Sequence, residues 1–228
     1  MSTPITTHVP LPNLRWFVFQ GVSSYMEAVV RRITTPRLEK LSIQFFEQLT
    51  FSIPRLSQFI NTTENLRFDR AKLEFDSYAV QMELYPREEA QYAISMNVRC
   101  WHLDWQVSSL SQILNSLSPM FSTVEHLTLE HREHSRSSEG HNEVDRTEWR
   151  KLLGSFSNVK TLRVDKGLVK EPSRGPQPDD GELPLELLPE LQELRYSGNG
   201  DTGDAFTSFF DARQIAGHPV TLIVDQDL

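Results

Sequence analysis

An α/β chain of stacked repeats, with parallel strands on a concave face and helices on the convex one, is the fold class the sequence predicts. Three observations predict it. The first is a recurring phrase of apolar residues at positions one, four and six. It reads Val124-x-x-Leu127-x-Leu129, then Val159-x-x-Leu162-x-Val164 and Leu191-x-x-Leu194-x-Tyr196. Near the start it recurs as Leu11-x-x-Leu14-x-Trp16 and Leu38-x-x-Leu41-x-Ile43. One such phrase arises by chance in any Leu-rich chain, whereas several at a loose period mark a repeat architecture. The second observation is spacing: neighbouring copies lie roughly 27–35 residues apart, longer than the ~20–29 of a leucine-rich repeat, so the units are irregular. The third is that helical patterns lie between most copies, and strand–helix alternation builds a parallel sheet with helices on one side. The expectation is one leucine-rich-repeat solenoid over residues 11–228, after a loose lead-in at residues 1–10 that carries Pro4 and Pro10.

The elements follow in order. Residues 14–19 form the first strand. Ser24-x-x-Glu27 reads as a capping box, in which hydroxyl and carboxylate satisfy free backbone donors at a helix start. Met26, Val29, Val30 and Ile33 give that helix its apolar face, and Pro36 ends it. A strand at 38–43 precedes a helix over 51–60, where Pro54 suits the first helical turn. The long interval before Val124 holds weaker copies, Leu66-Arg67-Phe68 running into Ala71-x-Leu73-x-Phe75, and Ile94-x-Met96-x-Val98. Residues 66–75 and 77–85 read as consecutive strands with little helix between them, followed by a strand over 92–101. Ser109-x-x-Gln112 caps a helix whose face is Leu110, Ile113, Leu114 and Leu117, and Pro119 closes it. Asp145-x-x-Glu148 opens another, carrying Trp149, Leu152, Leu153 and Phe156. Residues 170–184 are rich in Pro, Gly and charge and read as an exposed insertion. Residues 197–204 form a Gly/Asp turn, Phe206, Phe209 and Phe210 mark a last helix that Gly217 ends, and 220–224 is the closing strand.

Composition narrows the function classes. The 228-residue chain is 38% hydrophobic and 24% charged, with net charge −8 and pI near 5.4. That balance argues against a nucleic-acid grip, which needs a basic stripe to neutralise phosphates. One cysteine, Cys100, excludes an intrachain disulfide and multi-cysteine zinc sites; it continues the alternation of Ile94, Met96 and Val98 and reads as a small buried hydrophobe. No apolar run approaches the ~18 residues of a membrane span, and no signal-peptide core opens the chain. A soluble protein of the cytoplasm or nucleus is the expectation.

The phrases GVSSYMEAVVRRI, PRLEKLSIQFF, TENLRF, WHLDWQ, VEHLTLEH, FSNVKTLRV, LLPELQEL and ARQIAGHPVTLIV together resemble the repeat region of fungal F-box-like proteins, across nearly all of residues 11–224. The resemblance implies a leucine-rich-repeat region that recognises substrates for an SCF-type ubiquitin ligase. The F-box bundle that contacts the cullin adaptor has no counterpart before Leu11, so adaptor binding would need an F-box supplied elsewhere. The chain then corresponds to the carboxy-terminal portion of such a protein, or to a paralogue that lost its F-box.

No motif points to catalysis, a cofactor or a metal. His126, His131, His134 and His141, with Glu130 or Glu133, are the nearest approach to a metal site, but the Ser-rich run beside them reads as a solvated loop. Gly198-x-Gly200-x-x-Gly203 follows a strand as a dinucleotide fingerprint does, yet Asp201 and Asp204 would meet a pyrophosphate with like charge. Asp104, Asp179, Asp180 and Asp211 are scattered without a paired His. Trp101 and Trp105 read as strand-end packing rather than a stacking pair, and Trp16 and Trp149 as core. A metal- or nucleotide-dependent enzyme and a structural fragment without function of its own are the alternatives. The remaining signal is the polar set between the repeat apolars, because alternate strand residues share a face. The residues expected to contact a protein partner there are Arg15, Phe17, Gln44, Arg99, Thr128, Glu130, Arg163, Asp165 and Arg195. Neither nucleic acid nor a membrane is an expected partner.

Overall fold

A computed structural model describes residues 8–48, 50–87, 89–132, 146–165, 168, 187–197 and 207–225. The predicted alternation of strand and helix is present. The strands are β1 (Val9–Pro10), β2 (Trp16–Gly21), β3 (Ile33–Thr34), β4 (Lys40–Phe45), β5 (Arg70–Asp76), β6 (Ala79–Tyr85), β7 (Ile94–Arg99), β8 (His126–Arg132), β9 (Thr161–Val164), β10 (Glu193–Ser197) and β11 (Thr221–Asp225). The helices are α1 (Ser23–Val30), α2 (Pro54–Thr62), α3 (Leu103–Ser116), α4 (Ser118–Phe121), α5 (Arg146–Gly154) and α6 (Thr207–Ile215). Nine strands form one mixed α/β sheet in the order β11-β10-β9-β8-β5-β6-β7-β4-β2, and all neighbours run parallel except β6.

The repeat phrases fall into register. Leu127, Leu162 and Leu194 stand opposite one another on β8, β9 and β10, as do Leu129, Val164 and Tyr196. The second row runs on through Leu73, Met82, Met96, Ile43 and Phe19 to the far edge. Val124, Val159 and Leu191, the first residue of each phrase, are buried just before their strands. These rows and the apolar helix faces form one core, in which Phe75 meets Trp149 at 5.5 Å and Phe121 meets Phe156 at 5.3 Å.

Several expectations are corrected. The first copy of the phrase is Leu14-x-x-Phe17-x-Phe19, not Leu11-x-x-Leu14-x-Trp16, because Phe17 pairs with Leu41 and Phe19 with Ile43. The run WFVF is apolar in both phases of the alternation, so the pattern alone leaves the inward phase undecided. Trp16 consequently lies 59% exposed rather than in the core, whereas Trp149 is fully buried. The lead-in is not loose throughout, since Val9–Pro10 pairs with Ile33–Thr34, and Ile33 is strand rather than helix. Residues 1–7 lie outside the described residues.

The caps also differ. Val22 precedes α1 without a side-chain cap. Glu27 instead accepts from the backbone N–H of Arg55 and Leu56, at 2.9 and 2.8 Å, and so caps α2. Pro54 at the start of α2 has no N–H to satisfy, so the carboxylate takes the next two free donors. Helix α3 begins at Leu103, which places Ser109 inside it, and Gln112 accepts from the backbone of Phe51 at 3.0 Å. At the other end Gly217 adopts φ 79, its N–H donates to Gln214 and that of His218 to Arg213. That pair of hydrogen bonds is a Schellman cap, and it ends α6 as predicted.

In the middle, strands do not simply succeed one another across the sheet. Strands β5, β6 and β7 make a meander that sits between β8 and β4, so the chain crosses from β4 over two strand positions to reach β5. The reversal between β5 and β6 is an Asx turn, with the Asp76 carboxylate accepting from the Tyr78 N–H at 3.0 Å. Because β7 enters from a hairpin and not from a helix, the first position of its phrase is the exposed Gln91. The predicted insertion at 170–184 and the Gly/Asp turn from 198 onward lie outside the described residues.

Candidate polar strand face

Strand alternation leaves the sheet with a second face, opposite the helices. It is polar because the repeat phrases place their variable positions there. From β10 toward β5 one row reads Arg195, Arg163, Thr128 and Lys72, each the register partner of the next. One step along the strands, about 7 Å away, Glu130 pairs with Glu74, and the Asp165 N–H donates to the Leu129 carbonyl at the end of β9. The face is thus banded, with a row rich in bases beside a row of acids.

Ion pairs join the bands. The Lys72 ammonium reaches Glu130 at 2.7 Å and Glu74 at 3.0 Å, and Arg132 reaches the buried Glu74 at 2.9 Å. Burial pulls the Lys72 ammonium toward deprotonation, but the hydrogen bonds it donates to Glu130 and Glu74 outweigh this and hold its pKa above the usual value. On β6, Gln81 donates to Glu83 at 2.8 Å, and the Tyr85 hydroxyl also donates to Glu83. Burial first and that bond second keep the phenol protonated well beyond its ordinary range. Arg70 lies over the Tyr85 ring at 5.7 Å and donates to the Pro86 carbonyl at 2.7 Å.

The residues expected on this face divide. Thr128, Glu130, Arg163 and Arg195 are brought together, with Asp165 at the end of β9. Arg195 bonds Glu193 within its own strand. Gln44 and Arg99 meet on β4 and β7: with the amide oxygen turned to the donors, Gln44 accepts from Arg99 Nε at 2.7 Å and Nη2 at 3.1 Å. Phe17 is a correction, since it lies on the helix-covered face and packs on the core. Arg15 precedes β2 in the same phase as Phe17 and pairs with Glu39 at 2.8 Å. In their place Trp16, Val18 and Gln20 continue the open face beside Lys40, Ser42 and Gln44. Sequence reasoning missed these three and the whole contribution of β5 and β6. The period-2 alternation of Lys72-x-Glu74 and Gln81-x-Glu83 was the signal available for the latter.

The other candidate chemistry is dispersed. His126 is exposed and registers with Arg70, while His131 registers with Phe75. His134, His141, Asp179, Asp180 and the glycines at 198–203 lie outside the described residues. Among the described residues no group of three or more His, Cys, Asp or Glu could hold a metal ion. Cys100 is buried as expected, and burial pushes its thiol up to about 12, with Glu47 and Asp104 adding to the shift. No helix among the described residues is long and apolar enough to cross a membrane. In comparisons with known proteins, no family model, curated protein or solved structure matches the chain.

Proposed function

We propose that this chain is a non-enzymatic leucine-rich-repeat solenoid that binds another protein on its polar strand face. The observation that carries the reading is the alignment of three repeat phrases on the adjacent parallel strands β8, β9 and β10, which gathers Thr128, Arg163 and Arg195 into one row. Solenoids use such a continuous strand surface as a binding face. Banded charge suits a protein partner, because opposite charge steers encounter and like charge rejects a wrong register. By its resemblance to fungal F-box-like proteins, the bound protein is a substrate for an SCF-type ubiquitin ligase in the cytoplasm or nucleus. The cullin adaptor joins only through an F-box supplied elsewhere.

The test replaces Arg99, Arg163 and Arg195 by Glu and compares the proteins that co-purify with each version of the chain. Partner recovery should be lost while the melting curve barely moves, since exposed substitutions change stability by only ~0.5 kcal/mol. Unchanged recovery would reduce the arginines to a solvated surface.

A further inference from the structure

Between α2 and the β1–β3 pair, on the helix side of the sheet, lies a pocket of about 370 Å³. Its lining runs from His8 through Val30 and Arg31 at the end of α1, past Ile33–Pro36, to Arg55, Phe59 and Thr63 along α2. In a chain of net charge −8 this lining holds two arginines, Arg31 and Arg55, and no Asp or Glu. Glu27, one turn before Arg31, is already committed, since its carboxylate accepts from the backbone N–H of Arg55 and Leu56.

Local structure explains one of the two arginines. Arg31 follows the last residue of α1, where a cation complements the carbonyl end of the helix. Arg55 is the second residue of α2, the end at which a base is disfavoured. Among the described residues neither guanidinium has a carboxylate within ion-pair distance, and Arg55 Nη1 meets the Gln58 amide oxygen at 3.3 Å. Thr35 adds a buried donor. It is 4% exposed, it lines the pocket, and its Oγ1 has no hydrogen-bond partner among the described residues. Buried hydroxyls are nearly always paired, so this one calls for a partner. The other hydroxyls are spent: Thr62 and Thr63 donate to carbonyls of α2 at 3.0 and 2.8 Å, and Thr34 Oγ1 lies 3.0 Å from His8 Nδ1. When Nδ1 accepts from that hydroxyl, His8 Nε2 carries the ring proton and becomes a further donor.

Guanidinium groups bind phosphate through parallel N–H donors, and a neutral hydroxyl completes such a set. We propose that this pocket binds the phosphate group of a small phosphate ester, with Arg31, Arg55 and Thr35 as donors and Val30, Ile33 and Phe59 as the wall against its organic part. The volume falls within the ~300–1,000 Å³ of small-molecule sites, which leaves room beyond the phosphate itself. The site lies across the sheet from the polar strand face, so either can fail without the other.

Phenyl phosphate and inorganic phosphate are titrated into the full chain by calorimetry at fixed ionic strength, with phenol as the uncharged counterpart. Phenyl phosphate should bind, inorganic phosphate should bind more weakly, and phenol should not bind. Equal affinity for the two phosphates would overturn the assignment to an ester. Arg31→Gln/Arg55→Gln should weaken phenyl phosphate roughly tenfold or more, the worth of a charge-assisted hydrogen bond. Arg32→Gln/Arg37→Gln removes the same charge from the same neighbourhood but outside the lining. Its affinity should stay within about twofold of the parent, the residue of a screened general field. All four arginines are exposed, so both variants keep the fold. Thr35→Val keeps the shape, removes the donor and should cost about threefold; an unchanged affinity would strike Thr35 from the donor set. Equal losses in the two arginine pairs, or no binding of phenyl phosphate, would overturn the proposal.

Discussion

Arg213 on α6 is 1% exposed, a charged side chain as deeply buried as the aromatic core. Its Nη1 donates to the Leu188 carbonyl at 3.1 Å, and its Nη2 to those of Pro189 and Leu191 at 3.0 and 3.1 Å. Burial lowers its pKa, opposed by the charge of Glu190, and its guanidinium lies over the Phe209 ring at 5.5 Å. Leu188 sits at φ 50, a left-handed conformation that costs a branched residue energy unless its surroundings hold it. The guanidinium fork is thus what fastens the turn before β10. Arg213→Met removes the fork and keeps the apolar stem. The buried carbonyl of Leu191 is orphaned at ~1–3 kcal/mol, whereas that of Leu188 keeps the backbone N–H of Leu191 at 3.0 Å, and the desolvation no longer spent on a buried cation returns part of the loss. A net loss of about 1–2 kcal/mol follows, and at ~2–4 °C per kcal/mol for a chain of this size the melting point should fall by about 2–8 °C. Urea unfolding followed by tryptophan fluorescence gives the free energy, and calorimetry the temperature. Arg213→Lys should fall between the two, because one ammonium cannot span three carbonyls. A loss below ~0.5 kcal/mol for Arg213→Met would refute the reasoning and mean that water satisfies the Leu191 carbonyl.

Three further outcomes check the assignments above. Phe17→Ala should cost ~3 kcal/mol or slightly less, as a partly buried truncation, and Trp16→Ser under ~0.5 kcal/mol; the reverse order in chemical denaturation would restore the other strand phase. Glu27→Ala should cost about 1–2 kcal/mol, the worth of a helix cap, with the amide protons of Arg55 and Leu56 exchanging faster; unchanged exchange there would deny the cap. The Glu125 carboxyl, bonded by Lys160 at 2.8 Å, titrates below its ordinary range chiefly through that bond. A depressed acid stabilises the fold above its unfolded pKa, and the gain disappears as pH falls through the folded value. Lys160→Met should therefore raise the Glu125 titration seen by NMR toward the ordinary carboxylate value, and an unmoved curve would show the pair to be idle.

How much was legible depended on whether a segment was apolar in one phase or in two. VEHLTLE, NVKTLRV and ELQELRY each alternate unambiguously, so their inward and outward residues were assigned from sequence and stand in register on β8, β9 and β10. WFVF is apolar in both phases, and that ambiguity put Phe17 on the wrong face and Trp16 in the core. Capping boxes failed for a related reason. Ser24-x-x-Glu27 and Ser109-x-x-Gln112 satisfy a local spacing rule, but Glu27 and Gln112 found backbone donors in other segments. The pattern names a side chain able to cap, and packing selects which donors it reaches.

By itself, the sequence determined most strands and helices of a mixed α/β chain and the polarity of one sheet face, because burial enforces period-2 and period-3.6 patterns residue by residue. Only the tertiary structure decided the sheet order. Placing β6 and β7 between β5 and β4 depends on a turn at Ser77 and Tyr78 and on pairings between strands far apart in sequence. It also set Tyr78 against Trp101 and brought Glu47 to a pocket that Trp105 lines, from separate segments whose proximity no local pattern encodes. Side-chain alternation is a property of each strand alone, whereas adjacency is a property of the closed core, and long-range contacts settle it.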